Sequence, residues 1–249
     1  MNILICGALG RMGAKVRENA AAYGVTPVCG VDIKSADING FPVYDGFNKV
    51  KEKIDAVVDF SSRNSLPAIL DYCVKTNTPA VLCATGYTEE DVAAVNAASK
   101  KIALFRSANM SLGVNVLIET VKFAAKRLYG FDIEIIEKHH NKKADAPSGT
   151  AVMIKDGIKE VFPEKTEVYG RQGIIGARDK NEIGIHAIRG GTIVGEHQVI
   201  FAGNNETLTF THQAESREVF AAGALKAALF IADKKSGIYD MKDLLKTNA

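Results

Sequence analysis

The chain has 249 residues, 47% of them hydrophobic and 24% charged, with 31 Lys and Arg against 29 Asp and Glu and a formal net charge of +2. That length holds one large domain or two modest ones around a sizeable core, and the composition excludes a disordered or fibrous chain. So small a net charge argues against wholesale nucleic-acid binding and makes any positive site a local one. The N-terminal run MNILICGALGRMG has no basic region ahead of its apolar residues and no small-residue cleavage site, so a signal peptide is not expected. No apolar stretch approaches the roughly 18 residues that span a bilayer, and a soluble, cytoplasmic protein with no membrane partner is the expectation. The four cysteines, Cys6, Cys29, Cys73 and Cys83, lie singly with no C-x-x-C spacing. They read as buried free thiols in a reducing compartment.

In chain order, Asn2–Cys6, Pro27–Val31, Asp55–Phe60, Ala80–Ala84 and Ile102–Phe105 are short apolar runs expected to be buried strands. Between them, Arg11–Tyr23, Ser65–Lys75 and Glu89–Lys100 space their apolar residues by threes and fours, as helices do; Thr88 caps the last, with Glu89, Glu90 and Asp91 in its first turn. Strands alternating with helices predict βαβ units and a parallel sheet. After Asn109 the pattern changes to a long helix over Leu112–Leu128, a strand over Asp132–Glu137, a loop, and a helix over about Gly149–Phe162. Glu182–Arg189, Thr192–Ala202 and Thr207–Ala214 then alternate as antiparallel strands would, with Gly203-Asn204-Asn205 as a turn. Arg217–Asp233 is an amphipathic helix that can return to the first region. The fold class expected is α/β. A Rossmann-type parallel sheet (residues 1–110 with 217–249) is joined to a smaller α+β region (residues 111–216).

Two stretches carry chemistry. Gly7-Ala8-Leu9-Gly10-Arg11-Met12-Gly13 follows the first strand and opens the first helix. Glycines there allow a tight turn and close approach of a pyrophosphate to a helix N-terminus, although the spacing is G-x-x-G-x-x-G rather than the commoner G-x-G-x-x-G. Asp32, at the end of the second strand, is placed to bind an adenine-ribose hydroxyl and to repel an extra phosphate; Lys34 partly offsets it. NADH is therefore expected to be preferred, with NADPH usable. Cys83-Ala84-Thr85-Gly86 and Ser107-Ala108-Asn109-Met110 end later strands, where the nicotinamide half of such a cofactor lies. A plain βα turn with an incidental aspartate is the simpler alternative.

The second stretch is EKHHNKKADAPSGTA, Glu137–Ala151. It gathers His139, His140, Lys142 and Lys143 ahead of Ser148, Gly149 and Thr150 at a helix start. Adjacent histidines on a strand point to opposite sides, and no further ligand completes a metal set, so no metal is expected. His186, His197 and His212 lie alone in strand patterns and read as packed or surface histidines. Lysines with a helix N-terminus suit a carboxylate, and a histidine adds an exchangeable proton near neutral pH. Lys142 and Lys143 are expected to depress the pKa of His139, and a bound dicarboxylate to raise it. A solvated basic loop with a helix cap is the plainer alternative. Together the two stretches predict a hydride-transfer enzyme for a small anionic substrate held between domains. A dehydrogenase for another small carboxylic acid and a non-catalytic nucleotide sensor remain as rival readings.

The run Glu137-x-His139-His140-x-x-Lys143-x-Asp145-Ala146-Pro147-Ser148-Gly149-Thr150-Ala151 closely resembles the signature of the dihydrodipicolinate (4-hydroxy-tetrahydrodipicolinate) reductase family. So do Gly7–Gly13, Ala84-Thr85-Gly86, Ser107-Ala108-Asn109 with Ser111 and Gly113-Val114-Asn115, and His212-x-Ala214-x-Ser216-Arg217, in the same order. The resemblance implies a Rossmann cofactor domain and a smaller domain that binds substrate and assembles a homotetramer, with a closing cleft between them. It implies an imine dicarboxylate substrate of lysine biosynthesis, hydride delivery to ring C4 and protonation at C3. His139 matches the family's proton donor and Lys143 its second catalytic residue, while His140, Gly149 and Thr150 match substrate-binding positions. The chain departs from the family at Cys83-Ala84, where Gly-Thr is usual, and at Ile33-Lys34, where some members carry arginine directly after the acid.

Overall fold

A computed structural model of the chain describes residues 1–247; residues 248–249, which the sequence reading assigns to the first region, lie outside the described residues. In chain order the elements are β1 (Asn2–Cys6), α1 (Arg11–Asn19), β2 (Thr26–Val31), β3 (Ala36–Ile38), β4 (Phe41–Tyr44), β5 (Ala56–Asp59), α2 (Leu66–Thr76), β6 (Ala80–Leu82), α3 (Glu89–Ser99) and β7 (Ala103–Arg106). There follow α4 (Leu112–Ala125), β8 (Asp132–His139), α5 (Gly149–Lys159), β9 (Thr166–Tyr169), β10 (Glu182–Arg189), β11 (Gly195–Gly203) and β12 (Glu206–Ala214). The chain then forms α6 (Glu218–Ile231), β13 (Gly237–Tyr239) and α7 (Met241–Lys246). It divides into two compact units: Met1–Leu112 with the segment from Arg217 onward, and Gly113–Ser216.

In the first unit the strands run β13-β7-β6-β5-β1-β2-β4-β3, every neighbouring pair parallel except β3 and β4. Its central strands are mostly apolar because both faces are covered, with the buried Asp59 at the carboxyl end of β5 an exception. Ile3, Ile5 and Val58 pack on one side with Ala221, Ala224, Leu225, Ala228 and Ile231 of α6. Leu4, Val57 and Leu82 pack on the other with Leu66, Ile69 and Cys73 of α2 and Val95 of α3. Strand order turns in opposite directions on the two sides of β1, toward β2 and toward β5. The crevice at the carboxyl ends of β1 and β5 is thus the topological switch point where such sheets bind ligands.

In the second unit the order is β12-β11-β8-β10-β9. One face carries Ile133, Ile135, Ile183, Ile185, Val199 and Phe201 onto Val114, Ile118 and Val121 of α4 and Ile154 and Ile158 of α5. Here the structure corrects the sequence reading. β10 (Glu182–Arg189) lies parallel to both β8 and β9, whereas β11 pairs antiparallel with β8 and β12. Alternation reports that one face is covered and says nothing of direction. Other differences are local. Arg11–Tyr23 is an α-helix to Asn19 followed by a 3-10 turn, α4 and α5 end at Ala125 and Lys159, and β11 begins at Gly195. The strands β3, β4, β9 and β13 are three or four residues long, too short to show a period. The six-residue α7 was announced only by the capping box of Asp240 and Asp243.

Candidate functional site

At the switch point the glycine turn has no room for a side chain at Gly7 or Gly13. Gly7 has φ of +74°, and a Cβ on it would sit 2.8 Å from the carbonyl oxygen of Phe60. A Cβ on Gly13 would sit 2.3 Å from the Gly7 oxygen. The turn is tied down by Gly7 N–H donating to the Val31 carbonyl at 2.9 Å and Gly10 N–H donating to Gly7 at 3.0 Å. Gly10 caps α1 without a side-chain hydrogen bond, so the helix N-terminus is presented by backbone alone, as pyrophosphate binding requires. The Ala8 side chain is buried beneath the turn, and Leu9 and Met12 pack against the core cluster that Ala8 joins.

A cavity of about 640 Å³ brings together Gly7, Leu9, Gly10, Asp32 and Lys34 with Phe60, Ser61 and Ser65. Within it the Asp32 carboxylate is held in place, Oδ2 accepting the Leu9 N–H at 2.8 Å and Oδ1 the Ile33 N–H at 2.7 Å. Each oxygen keeps a second lone pair for a ligand hydroxyl. The residues therefore fit a dinucleotide. Cys83–Thr85 and Ser107–Met110 follow β6 and β7 along the same carboxyl edge of the sheet. The Cys83 and Met110 side chains are buried in the core. Ser107 Oγ donates to the Asn109 carbonyl and the Ser111 N–H donates to Asn109 Oδ1, both at 2.8 Å.

In the second unit the site is built around a carboxylate that the sequence reading passed over. Glu137 is 0% exposed. Its Oε2 lies 2.6 Å from His139 Nδ1, its Oε1 accepts the Ser148 N–H at 3.0 Å, and Arg189 donates to both oxygens at 2.7 Å. Burial pushes the Glu137 pKa up, but Arg189, His139 and the Ser148 N–H together hold it below the ordinary glutamate range. The register explains the meeting. Glu137 and His139 share the covered face of β8 with Ile133 and Ile135; Arg189 lies opposite His139 on β10, and His197 opposite Glu137 on β11. Arg189 also donates to the Asp145 carbonyl at 2.7 Å, tying the loop to the sheet.

His197, read from sequence as a solitary histidine, belongs to this cluster. It is buried, its Nε2 lies 2.8 Å from Ser148 Oγ, and its ring meets the His139 ring edge-on at 5.2 Å. Burial and the nearby His139 bring its pKa down to about 4. The His139 pKa is lowered first by burial, then by Lys143 and Arg189, against Glu137, which raises it. The sequence predicts a lowering by Lys142 and Lys143; burial is the larger cause. Ser148 caps α5, its Oγ accepting the Ala151 N–H at 3.2 Å, and Gly149 opens the helix exposed to solvent. Lys143 Nζ pairs with Asp145 Oδ1 at 2.9 Å, while Lys142 is exposed. The loop that follows His139 thus carries Lys143 and leads into the N-terminus of α5 at Ser148, while His139, at the end of β8, is held by a buried carboxylate; a lysine with a helix N-terminus is chemistry that suits a carboxylate. Inward parity at Glu137, Arg189 and His197 was the available signal, since each continues an apolar alternation with a polar residue.

Among the described residues no helix is long and apolar enough to cross a membrane. The family model described as dihydrodipicolinate reductase, N-terminus, matches residues 1–110, and that for its C-terminus matches residues 113–245. The chain is 54% identical to the 4-hydroxy-tetrahydrodipicolinate reductase of Caldanaerobacter subterraneus subsp. tengcongensis, over 99% of this chain and 98% of that one. It is 47% identical to the enzyme of the same name from Clostridium tetani, with the same coverage. In fold it resembles a dipicolinate-bound dihydrodipicolinate reductase from Paenisporosarcina sp. TG-14, with a TM-score of 0.80 and 24% identity over 98% of each chain.

Proposed function

Because the chain belongs to the dihydrodipicolinate reductase family, NAD(P)H-dependent oxidoreductases of diaminopimelate and lysine biosynthesis, we propose that it reduces its cyclic imine dicarboxylate at ring C4 and protonates it at C3. The reduced nicotinamide, when bound, supplies the hydride. The backbone of Gly7–Gly13 and the N-terminus of α1 hold its pyrophosphate, Asp32 its adenine ribose, and the backbone of Cys83–Thr85 and Ser107–Met110 the nicotinamide half. His140, Lys143, Ser148, Gly149 and Thr150 hold the substrate's carboxylates. His139 then gives the Nε2 proton of its imidazolium to C3. The enamine electron pair left by hydride addition forms the new C–H bond, and the ring imine re-forms. The observation that carries this reading is a histidine held at Nδ1 by a buried carboxylate, next to a capped helix N-terminus and a lysine.

Asp32 in the ribose position favours NADH, with Lys34, in the same cavity, keeping NADPH usable. The second unit is the tetramerisation domain of a cytoplasmic homotetramer; exposed Ile188 and Leu208 on its strands support that assignment. The test is the initial rate of NADH and NADPH oxidation on substrate generated in situ from pyruvate and aspartate semialdehyde by the preceding synthase. Synthase-dependent oxidation, faster with NADH, is expected. No oxidation with either, by protein that binds NADH, would defeat the reading, and NADPH bound more than about ten times tighter than NADH would defeat the Asp32 assignment.

A further inference from the structure

We infer that Glu137 is the positioning residue of the reaction, fixing both which nitrogen of His139 carries the working proton and where the carboxylate seat lies. The inference rests on the reading of His139 as proton donor. An ionised carboxylate only accepts hydrogen bonds. Glu137, clamped by both guanidinium nitrogens of Arg189 and by the Ser148 N–H, must therefore receive the Nδ1 proton of His139. In neutral His139 this leaves Nε2 as the lone-pair nitrogen, and in the imidazolium it makes Nε2–H the proton free to leave. Glycine at position 195 leaves room beside that nitrogen: a Cβ there would sit 3.1 Å from Nε2.

The same carboxylate organises the seat. One oxygen holds the backbone of Ser148, the residue that caps α5, and through Arg189 the Glu137 charge also holds the Asp145 carbonyl. Proton donor, helix N-terminus and loop are thus three arms on one buried anion, and moving the anion moves all of them. The groups facing His139 are Glu137 from its own strand, Lys143 from the loop, Arg189 from β10 and His197 from β11. Among these only Glu137 favours the charged imidazole, so its removal has a definite sign. The chemistry is that of a carboxylate setting the tautomer of a catalytic histidine.

The test is Glu137→Gln in the full-length protein, with pH–rate profiles on the synthase-generated substrate. Expected are a kcat lowered at least about tenfold, an unchanged Kd for NADH, and a high-pH limb, where His139 loses its proton, moved down by about one pH unit. A lowered kcat with that limb unmoved would overturn the inference by making Glu137 merely structural, as would wild-type kinetics. His139→Gln is run alongside. If it retains the wild-type rate, the proton-donor reading fails. If it loses the rate while Glu137→Gln keeps the wild-type profile, the positioning inference alone fails. Nitrogen-15 histidine spectra of the wild-type protein, with His139→Gln assigning the signal, serve even if Glu137→Gln does not fold. Neutral His139 protonated at Nδ1 is expected, and protonation at Nε2 would overturn the inference.

Discussion

The two units prepare for an anion by opposite means. The glycine turn of the first unit works by subtraction: no side chain fits at Gly7 or Gly13, so bare backbone N–H groups and a helix end form the surface. The second unit works by insertion, burying the Glu137 carboxylate on the covered face of β8 and recruiting Arg189, His139 and Ser148 to satisfy it. A surface made by absence tolerates no added atom but titrates little. One organised by a buried charge depends on keeping that charge, and on pH.

The largest expected effects lie in exchanging damage between the two. His139→Gln should lower kcat by about 10²- to 10⁴-fold and leave the Kd for NADH unchanged. Gly13→Ala, whose Cβ would lie 2.3 Å from the Gly7 carbonyl oxygen, should weaken NADH about 100-fold and leave dipicolinate binding to the second unit intact. Fluorescence titration of both ligands checks both, and a variant that loses both ligands would break the division of labour. Next comes pH. The His197 pKa falls from 6.5 to about 4 on folding, so between those values the unfolded chain binds more protons than the folded one. Stability should therefore fall by about 3 kcal/mol as pH drops through that window. Denaturant melts from pH 7 to 4 should show the loss in wild type and a flatter curve in His197→Asn. The contribution of Glu137, whose pKa is lowered from 4.5, is present above 4.5 and is lost as pH falls through its lowered folded value. The smallest effect crosses the comparison: Gly195→Ala places a Cβ 3.1 Å from His139 Nε2 and should lower kcat about fivefold with no change in NADH affinity. An unchanged kcat would show that room for a nitrogen matters only in the first unit.

What the sequence disclosed follows the same division. The glycine turn is a local signal read from consecutive residues, and the parallel sheet follows from strands and helices that alternate in chain order from Asn2 to Phe105. The basic loop was equally visible. Its organising partners were not, because Glu137 and Arg189 are 52 residues apart and His197 and Ser148 are 49 apart. They meet only through the register of β10 and β11 on β8, and the parallel direction of β10 is a feature that alternation does not report. A cluster of positive residues implied an anion. Besides the substrate that cluster predicts, the chain carries a buried anion of its own at Glu137.

The return of α6 to the first unit has a consequence for biosynthesis. Ala221, Ala224, Leu225, Ala228 and Ile231 complete one side of the sheet that begins at Asn2, yet the whole of Gly113–Ser216 is translated before them. During synthesis, which proceeds from the N-terminus, the second unit's sequence is complete while the first still waits for a wall of its core. A ribosome stalled near residue 216 would thus carry that face of the sheet without the α6 residues that cover it.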